Sequence, residues 1–253
     1  MKNLIKSKVG VTAKIVALML AANITVSCTN KTAGTKNMVT GNMAKAEDCN
    51  YELNGVRLTK LFNPDMGTLK QLDDAIVFTA KKGSDYFSDP QGQLSNFTAP
   101  MLMTELDNTK PFTVTVKVEP EFNPATEGVY SAGTVIIYAD NSHWQKICYE
   151  QDEAGAHRLV TMRTVGLSDD VNHEISEAKS LWLRLSSDTR IIGNYYSKDG
   201  EHWQLLRDYA NDYPERLHIG IMSQSPQDSI HTCRYSDMEL VYQPVKDFRT
   251  GDL

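Results

Sequence analysis

From Tyr51 onward, apolar positions come in short runs, many of them alternating with polar ones, and turn residues separate the runs. The segments 75–80, 112–118, 133–138, 144–149, 158–163, 181–185, 190–196, 203–206, 217–222 and 233–242 each read as a strand, because they are rich in Val, Ile, Thr and aromatic residues and too short for a helix. Asn-Pro, Asp-Pro, Asp-Gly and Ser-Pro pairs stand between them and mark turns. Such a series predicts an all-β protein, an antiparallel sandwich of two sheets. Helix is nearly missing from the pattern; 66–73 and 208–216 are its best candidates, with room for one or two turns each. In the run 181–185, Leu181, Leu183 and Leu185 share one face and mark the core, which sends Trp182 and Arg184 to the other. Trp144, Lys146, Cys148 and Glu150 likewise share a parity, opposite Gln145, Ile147 and Tyr149, but alternation alone does not say which set faces inward.

The amino terminus follows a different pattern. A basic start, Met1 to Lys8, leads into an apolar stretch from Ile15 to Val26 broken only by Asn23 and Thr25, and then Ser27-Cys28. This is the layout of a secretory signal. The apolar stretch falls short of the roughly 20 residues a membrane-spanning helix needs. A small residue before Cys at this point resembles the bacterial lipobox, with Thr25 where that pattern prefers Leu. The resemblance implies that Cys28 is acylated and anchors the chain to a membrane. From Thr29 to Asn50 the chain is polar and aperiodic, which reads as a flexible tether. The organisation expected is therefore a lipoprotein signal over 1–27, a tether over 28–50, the sandwich over 51–245 and a tail over 246–253. No acidic run follows Cys28, whereas in lipoproteins of the Bacteroidetes such a run resembles an address for the cell exterior. The expected location is the bacterial envelope, on the periplasmic face of the outer membrane.

Charge narrows the partners. The chain holds 26 Lys+Arg and 32 Asp+Glu, and a product starting at Cys28, having lost four lysines and no acid, carries a net charge of −10. Such a surface repels phosphate backbones, so nucleic acid is not an expected partner. Cys49, Cys148 and Cys233 have no C-x-x-C spacing, and as an odd number they leave one thiol unpaired; packing is the expected role of Cys148 and Cys233. The six His show no metal-ligand spacing, and no cofactor motif is present.

Several blocks carry a resemblance. Gly83-Ser-Asp-Tyr-Phe-Ser-Asp-Pro90, Asn96-Phe-Thr-Ala-Pro-Met101, Pro111 to Lys117, Ala132 to Tyr138, His143-Trp-Gln-Lys146 with Glu150, Leu181 to Leu185, and Tyr195-Tyr-Ser-Lys-Asp-Gly-Glu-His-Trp203 stand in the order and spacing of the domain-of-unknown-function 1349 family. The match runs from about Leu53 to Tyr242. The resemblance implies a concanavalin A-like jelly roll, two curved antiparallel sheets whose concave face receives sugars in related folds. It implies a fold and no reaction.

The candidate chemistry is weighed in that frame. Asp199-Gly200 reads as a hairpin turn, and the acidic stretch Ser168 to Glu174 as a solvated loop. The dense Glu-x-Asp-x-x-Glu strand of jelly-roll glucanases is missing. What remains is Trp144, Lys146, Glu150, Trp182, Arg184 and Tyr195, aromatic platforms beside charged hydrogen-bonding groups, which is the chemistry a glycan site needs. These six are expected to converge on the concave sheet of a non-catalytic carbohydrate-binding protein. Two other classes stay open: a glycoside hydrolase or lyase with Glu150, Asp85 and Asp89 as first suspects, and a structural or partner-binding envelope protein.

Overall fold

β-Branched and aromatic residues favour the pleated, half-buried surface of a sheet, and the chain forms little else. The computed structural model describes residues 43–123, 129–227 and 230–253. Cys28, the signal segment and the tether up to residue 42 lie outside the described residues. Numbered along the chain, the strands are β1 (Ala46–Leu53), β2 (Val56–Phe62), β3 (Gly67–Gln71), β4 (Ala75–Lys81), β5 (Tyr86–Ser88), β6 (Ser95–Phe97), β7 (Met101–Asp107), β8 (Phe112–Glu121) and β9 (Ser131–Asp140). There follow β10 (His143–Gln151), β11 (His157–Val165), β12 (Leu167–Ile175), β13 (Leu181–Ser187), β14 (Ile191–Ser197), β15 (Trp203–Ala210), β16 (Arg216–Gln224) and β17 (Ile230–Val241).

Two antiparallel sheets form the sandwich. The front sheet has the order β1-β2-β7-β16-β9-β10-β11-β12, and the back sheet β15-β14-β13-β8-β17-β4-β3. The main core lies between them. Val135, Ile137, Ile147, Ile219 and Ile221 face inward from the front sheet, and Phe78, Val114, Val116, Leu181, Leu183, Leu185 and Tyr235 from the back. The leucine alternation of β13 is therefore as expected, and on β10 it is Ile147 and Tyr149 that face the core. Cys148 and Cys233 are buried and, like Cys49, free. Asp199 and Gly200 turn the β14–β15 hairpin: Gly200 takes φ +84°, and Asp199 Oδ1 accepts the N–H groups of Glu201 and His202 at 2.9 and 2.8 Å.

Four expectations need correction. Residues 66–73 do not form a helix: after a single 3-10 turn, Pro64–Met66, the chain extends as β3 and pairs with β4 from Gly67↔Ala80 to Gln71↔Ile76. At Gly67 a Cβ would stand 2.7 Å from the Pro100 ring and 2.8 Å from the Thr79 carbonyl oxygen, so this edge strand is packed against its neighbours with no room for a side chain. Residues 208–216 are likewise not a helix, because β15 runs to Ala210 and β16 starts at Arg216. The acidic stretch 168–174 is not a loop but most of β12, paired with β11 from Val165↔Leu167 to Arg158↔Ile175. Finally, the sandwich begins earlier than Tyr51. Ala46 pairs with Phe62, and the Ala44 N–H donates to the Tyr138 hydroxyl at 2.9 Å, so the segment 46–50 belongs to β1 and not to a tether.

The tail 246–253 is also part of the folded unit. It crosses the outer face of the back sheet, where Arg184 Nη1 donates to the Gly251 carbonyl at 2.7 Å and the Tyr195 hydroxyl donates to the Phe248 carbonyl at 2.9 Å. Lys246 Nζ reaches back to the Leu253 oxygen. Among the described residues no helix is long and apolar enough to cross a membrane.

Ending the chain at Val245 strips both acceptors from Arg184 and Tyr195. Leaving a largely buried polar group without its partner costs about 1–3 kcal/mol each. The truncated protein is expected to melt roughly 5–10 °C below the full chain; an unchanged thermal melt would show that the tail contributes nothing to the fold.

Candidate functional site

The outer face of the front sheet is where the polar residues of β10 stand. Register places Trp144, Lys146, Cys148 and Glu150 in one file, flanked by Tyr138, Ile136, Thr134 and Ala132 of β9 and by Thr164, Met162, Val160 and Arg158 of β11. The β5–β6 hairpin folds over one half of this file. The Tyr86 ring meets Trp144 and Tyr138 edge-on, with centroids 5.4 and 5.8 Å apart, and lies 5.5 Å from Phe97. Met101, Met103 and Met222 fill in around these rings to make a second, smaller core. Trp144 is fully buried in it and donates Nε1–H to the Asn141 carbonyl at 3.2 Å, so its ring is a packing element and offers no face to a ligand.

Beyond the hairpin the file is open, and a cavity of about 500 Å³ lies over it. Lys146, Glu150, Val160 and Met162 line it from the sheet, Phe87, Leu94 and Asn96 from the hairpin, and Tyr130, Asp152 and Glu153 from the loops flanking β9 and β10. Lys146 is 1% exposed. Its Nζ donates to the Tyr86 carbonyl at 2.7 Å and to Gln224 Oε1 at 2.7 Å, and lies 3.8 Å from Asp85 Oδ1. Three acceptors therefore surround one ammonium.

No hydrogen bond from a described residue reaches the carboxyl of Glu150, which is 9% exposed. Burial pushes that group up to about 8; the Lys146 charge opposes the rise, and Asp85, Asp152 and Asp170 add to it. Glu150 is thus a neutral acid at pH 7, able to give one hydrogen bond and accept others. Asp85 is raised by burial as well, against the pull of Lys146 and the Tyr86 N–H. For Asp152 burial is outweighed: the N–H groups of Ala156 and Ala154 and the Arg158 guanidinium, 2.5 Å away, hold it below the ordinary range. Among the described residues no group of three His, Cys, Asp or Glu is placed to hold a metal ion.

Of the six candidate residues, the fold brings Lys146 and Glu150 together in the cavity and puts Trp144 beneath the hairpin beside them. Trp182, Arg184 and Tyr195 lie on the back sheet, on β13 and β14, so the six do not converge on one face. Arg184 is committed to Thr115 Oγ1 at 2.9 Å, to the tail at Gly251 and to the Trp203 ring, whose centroid is 3.6 Å from its guanidinium carbon. Trp182 carries the Lys117 ammonium 4.4 Å over its ring. These residues bind the protein's own tail and ladder. Among the catalytic suspects, Asp85 and Glu150 share the cavity, whereas Asp89 closes the hairpin turn by accepting the Gln93 N–H at 3.1 Å. Phe87, Leu94, Asp170 and Gln224 were not signalled by alternation; only Asp85-Tyr86-Phe87, an acid beside two aromatics, pointed to the hairpin.

Residues 62–242 match the model of a protein family described as "Protein of unknown function (DUF1349)". The chain belongs to the DUF1349 family. Among curated proteins none matches it. The DUF1349 sandwich is similar to a solved protein of unknown function from Saccharomyces cerevisiae, at 20% identity and a TM-score of 0.62 over 70% of this chain and 97% of that one. It is also similar to a mutant of the GH43 protein BlXynB from Bacillus licheniformis (13% identity, TM-score 0.50, 66% of this chain and 33% of that one). A third likeness is to GH43B of a Bacteroides ovatus xyloglucan PUL (12% identity, TM-score 0.52, 79% and 40%). The chain therefore spans about 33–40% of the length of these two GH43 proteins. At such identities the likeness is one of fold, and it agrees with the jelly-roll sandwich expected.

Burial of Glu150 makes a signed prediction. Its folded-state value lies above the ordinary glutamate value of 4.5, so between the two the native state holds a proton that the unfolded chain has lost, and stability falls as pH rises from about 4.5 to about 8. Glu150→Gln removes this penalty. Across that window the variant should gain on the order of 3 kcal/mol relative to wild type in denaturant titrations; a pH-independent gap between the two proteins would mean that Glu150 ionises normally.

Proposed function

We propose that this DUF1349 protein binds carbohydrate in the cavity on the outer face of its front sheet. The observation that carries the reading is Glu150, a buried carboxyl facing the cavity with no hydrogen-bond partner among the described residues. A carboxyl that opens on a cavity and meets no protein donor is satisfied by water or by a ligand, and a sugar hydroxyl can take the place of that water. Asn96, Asn172 and Gln224 add amide groups, while Phe87, Leu94, Val160 and Met162 supply apolar surface for the C–H face of a sugar ring. The surface expected from the sequence thus narrows to Lys146 and Glu150, with Trp182, Arg184 and Tyr195 left to the fold. A second reading, a hydrolase or lyase acting on a glycan, draws on one observation: an acid held neutral at pH 7 stands in the same cavity as the carboxyl of Asp85. On either reading the acylated Cys28 would hold the domain at the envelope membrane.

Glycan-array screening of the wild-type protein, followed by product analysis of each hit, separates the two readings. Phe87→Ala and Glu150→Gln should each weaken binding about thirtyfold, or about 2 kcal/mol, while Trp182→Ala leaves it unchanged. Loss of binding in Trp182→Ala alone would place the site on the back sheet and refute the proposal. The anchor is tested separately: wild type should take up labelled palmitate and enter the detergent phase, and Cys28→Ala should do neither.

A further inference from the structure

The charges around the cavity bear on which sugar it accepts. Five carboxyl groups line it, on Asp85, Glu150, Asp152, Glu153 and Asp170, and Lys146 is the one cation among the lining residues. Asp152 is held by Arg158, and Glu153 accepts the Tyr130 hydroxyl at 2.7 Å. Asp85 takes the Tyr86 N–H at 2.7 Å and faces the Lys146 ammonium at 3.8 Å. Lys146 donates to Tyr86 and Gln224 and faces the Asp85 carboxylate at 3.8 Å, so an anionic ligand would meet a buried cation whose charge is already countered. Glu150 remains, with no hydrogen-bond partner among the described residues and facing the opening, and the Asp170 carboxyl lines the same cavity from β12, two strands away.

We infer, resting on the carbohydrate reading above, that the cavity selects a sugar bearing a protonated amine over its N-acetylated counterpart and rejects acidic sugars. An ammonium satisfies Glu150 directly and is drawn by the uncompensated negative field, whereas a uronate meets that field with the wrong sign. The apolar pair Val160 and Met162 beside Glu150, with Phe87 and Leu94 above, seats the ring that carries the amine.

A proton count follows from the same geometry. Glu150 is faced by Lys146 on its own strand, by Asp170 on β12, by Asp85 ahead of β5, and by Asp152; across the ladder stands Arg158, already taken by Asp152. Cys148 beside it is pushed by burial up to about 12 and stays a thiol. A ligand ammonium adds a second positive charge next to Glu150, favours its carboxylate and expels its proton. A neutral sugar expels none.

The test is calorimetric titration of the whole protein near pH 6 in buffers of differing ionisation enthalpy, with four probes: a β-1,4-glucosamine tetramer with free amines, its fully N-acetylated counterpart, an oligogalacturonate and spermidine. The free-amine tetramer is expected to bind about tenfold more tightly than the N-acetylated one and to release about one proton per ligand, with no binding by the oligogalacturonate. In Glu150→Gln the proton release should vanish and the preference fall below about threefold. Equal or tighter binding of the N-acetylated tetramer, or any binding of the oligogalacturonate, overturns the inference and leaves the carbohydrate reading intact. Spermidine matching the free-amine tetramer overturns both, since charge alone would then suffice. Silence from all four probes, with hits elsewhere on the glycan array, overturns the inference only.

Discussion

An ammonium inside a protein must have its protons accepted, and the arrangement above the front sheet follows from how Lys146 meets that demand. Its acceptors come from three places far apart in sequence: the Tyr86 carbonyl, the Gln224 side chain at the end of β16, and Asp85. Bringing them together holds the start of the β5–β6 hairpin down against β10, which in turn buries the Tyr86 ring among Trp144, Tyr138 and Phe97. The hairpin edge then becomes the wall of the cavity. Further along the hairpin, Ser88 adds ties of its own, its N–H to Ser168 Oγ at 3.0 Å and its hydroxyl to the Gly166 carbonyl at 3.0 Å.

The two sheets are fastened at one side by a different kind of contact. β12 and β15 are the edges of the front and back sheets, and charged pairs cross between them: Arg207 to Asp169 at 2.6 Å and Lys198 to Glu174 at 3.2 Å. Asp212, just past β15, accepts Arg163 at 2.5 Å and His143 at 3.0 Å, and the His143 ring stacks on Tyr213 with centroids 4.2 Å apart. Exposed pairs of this sort are worth little singly. Their use here is geometric, since charged side chains on an edge strand also discourage pairing with another chain. The acidic stretch 168–174 is a strand because β11 pairs with it along its length, and its exposed acids are those an edge strand tolerates.

The back sheet shows the same residue types in the opposite role. An aromatic beside a guanidinium on an outer face suggests a binding platform, and Arg184 with Trp203 and Tyr195 has that composition. The protein's own last residues occupy it, giving backbone carbonyls to the guanidinium and the phenol. Chemistry suited to a ligand is equally suited to a chain terminus, and a lone strand pattern does not distinguish them.

How much of this was legible in the sequence can be judged from particular residues. Alternation along 181–185 and 144–150 is a local property of the pleat, so it decided which side chains share a face, and the leucines, Ile147 and Tyr149 are indeed in the core. Turn chemistry is local too, and Asp199-Gly200 turns where expected. β3 and β12 were misread because each is held by its partner strand against a weak local pattern. Face-sharing says nothing about which sheet a strand joins. That depends on pairing across long stretches of chain, β13 with β8 and β10 with β9 and β11, and it separated Trp182 and Arg184 from Lys146 and Glu150. The raised value of Glu150 is likewise a property of the assembled surroundings: burial and the charges of Asp85, Asp152 and Asp170 push it up against the pull of Lys146. The sequence by itself determined the strands' faces, most of their extents and the all-β class, because these rest on neighbours one or two residues apart; the site was decided only in the tertiary structure, because desolvation and charge act through space.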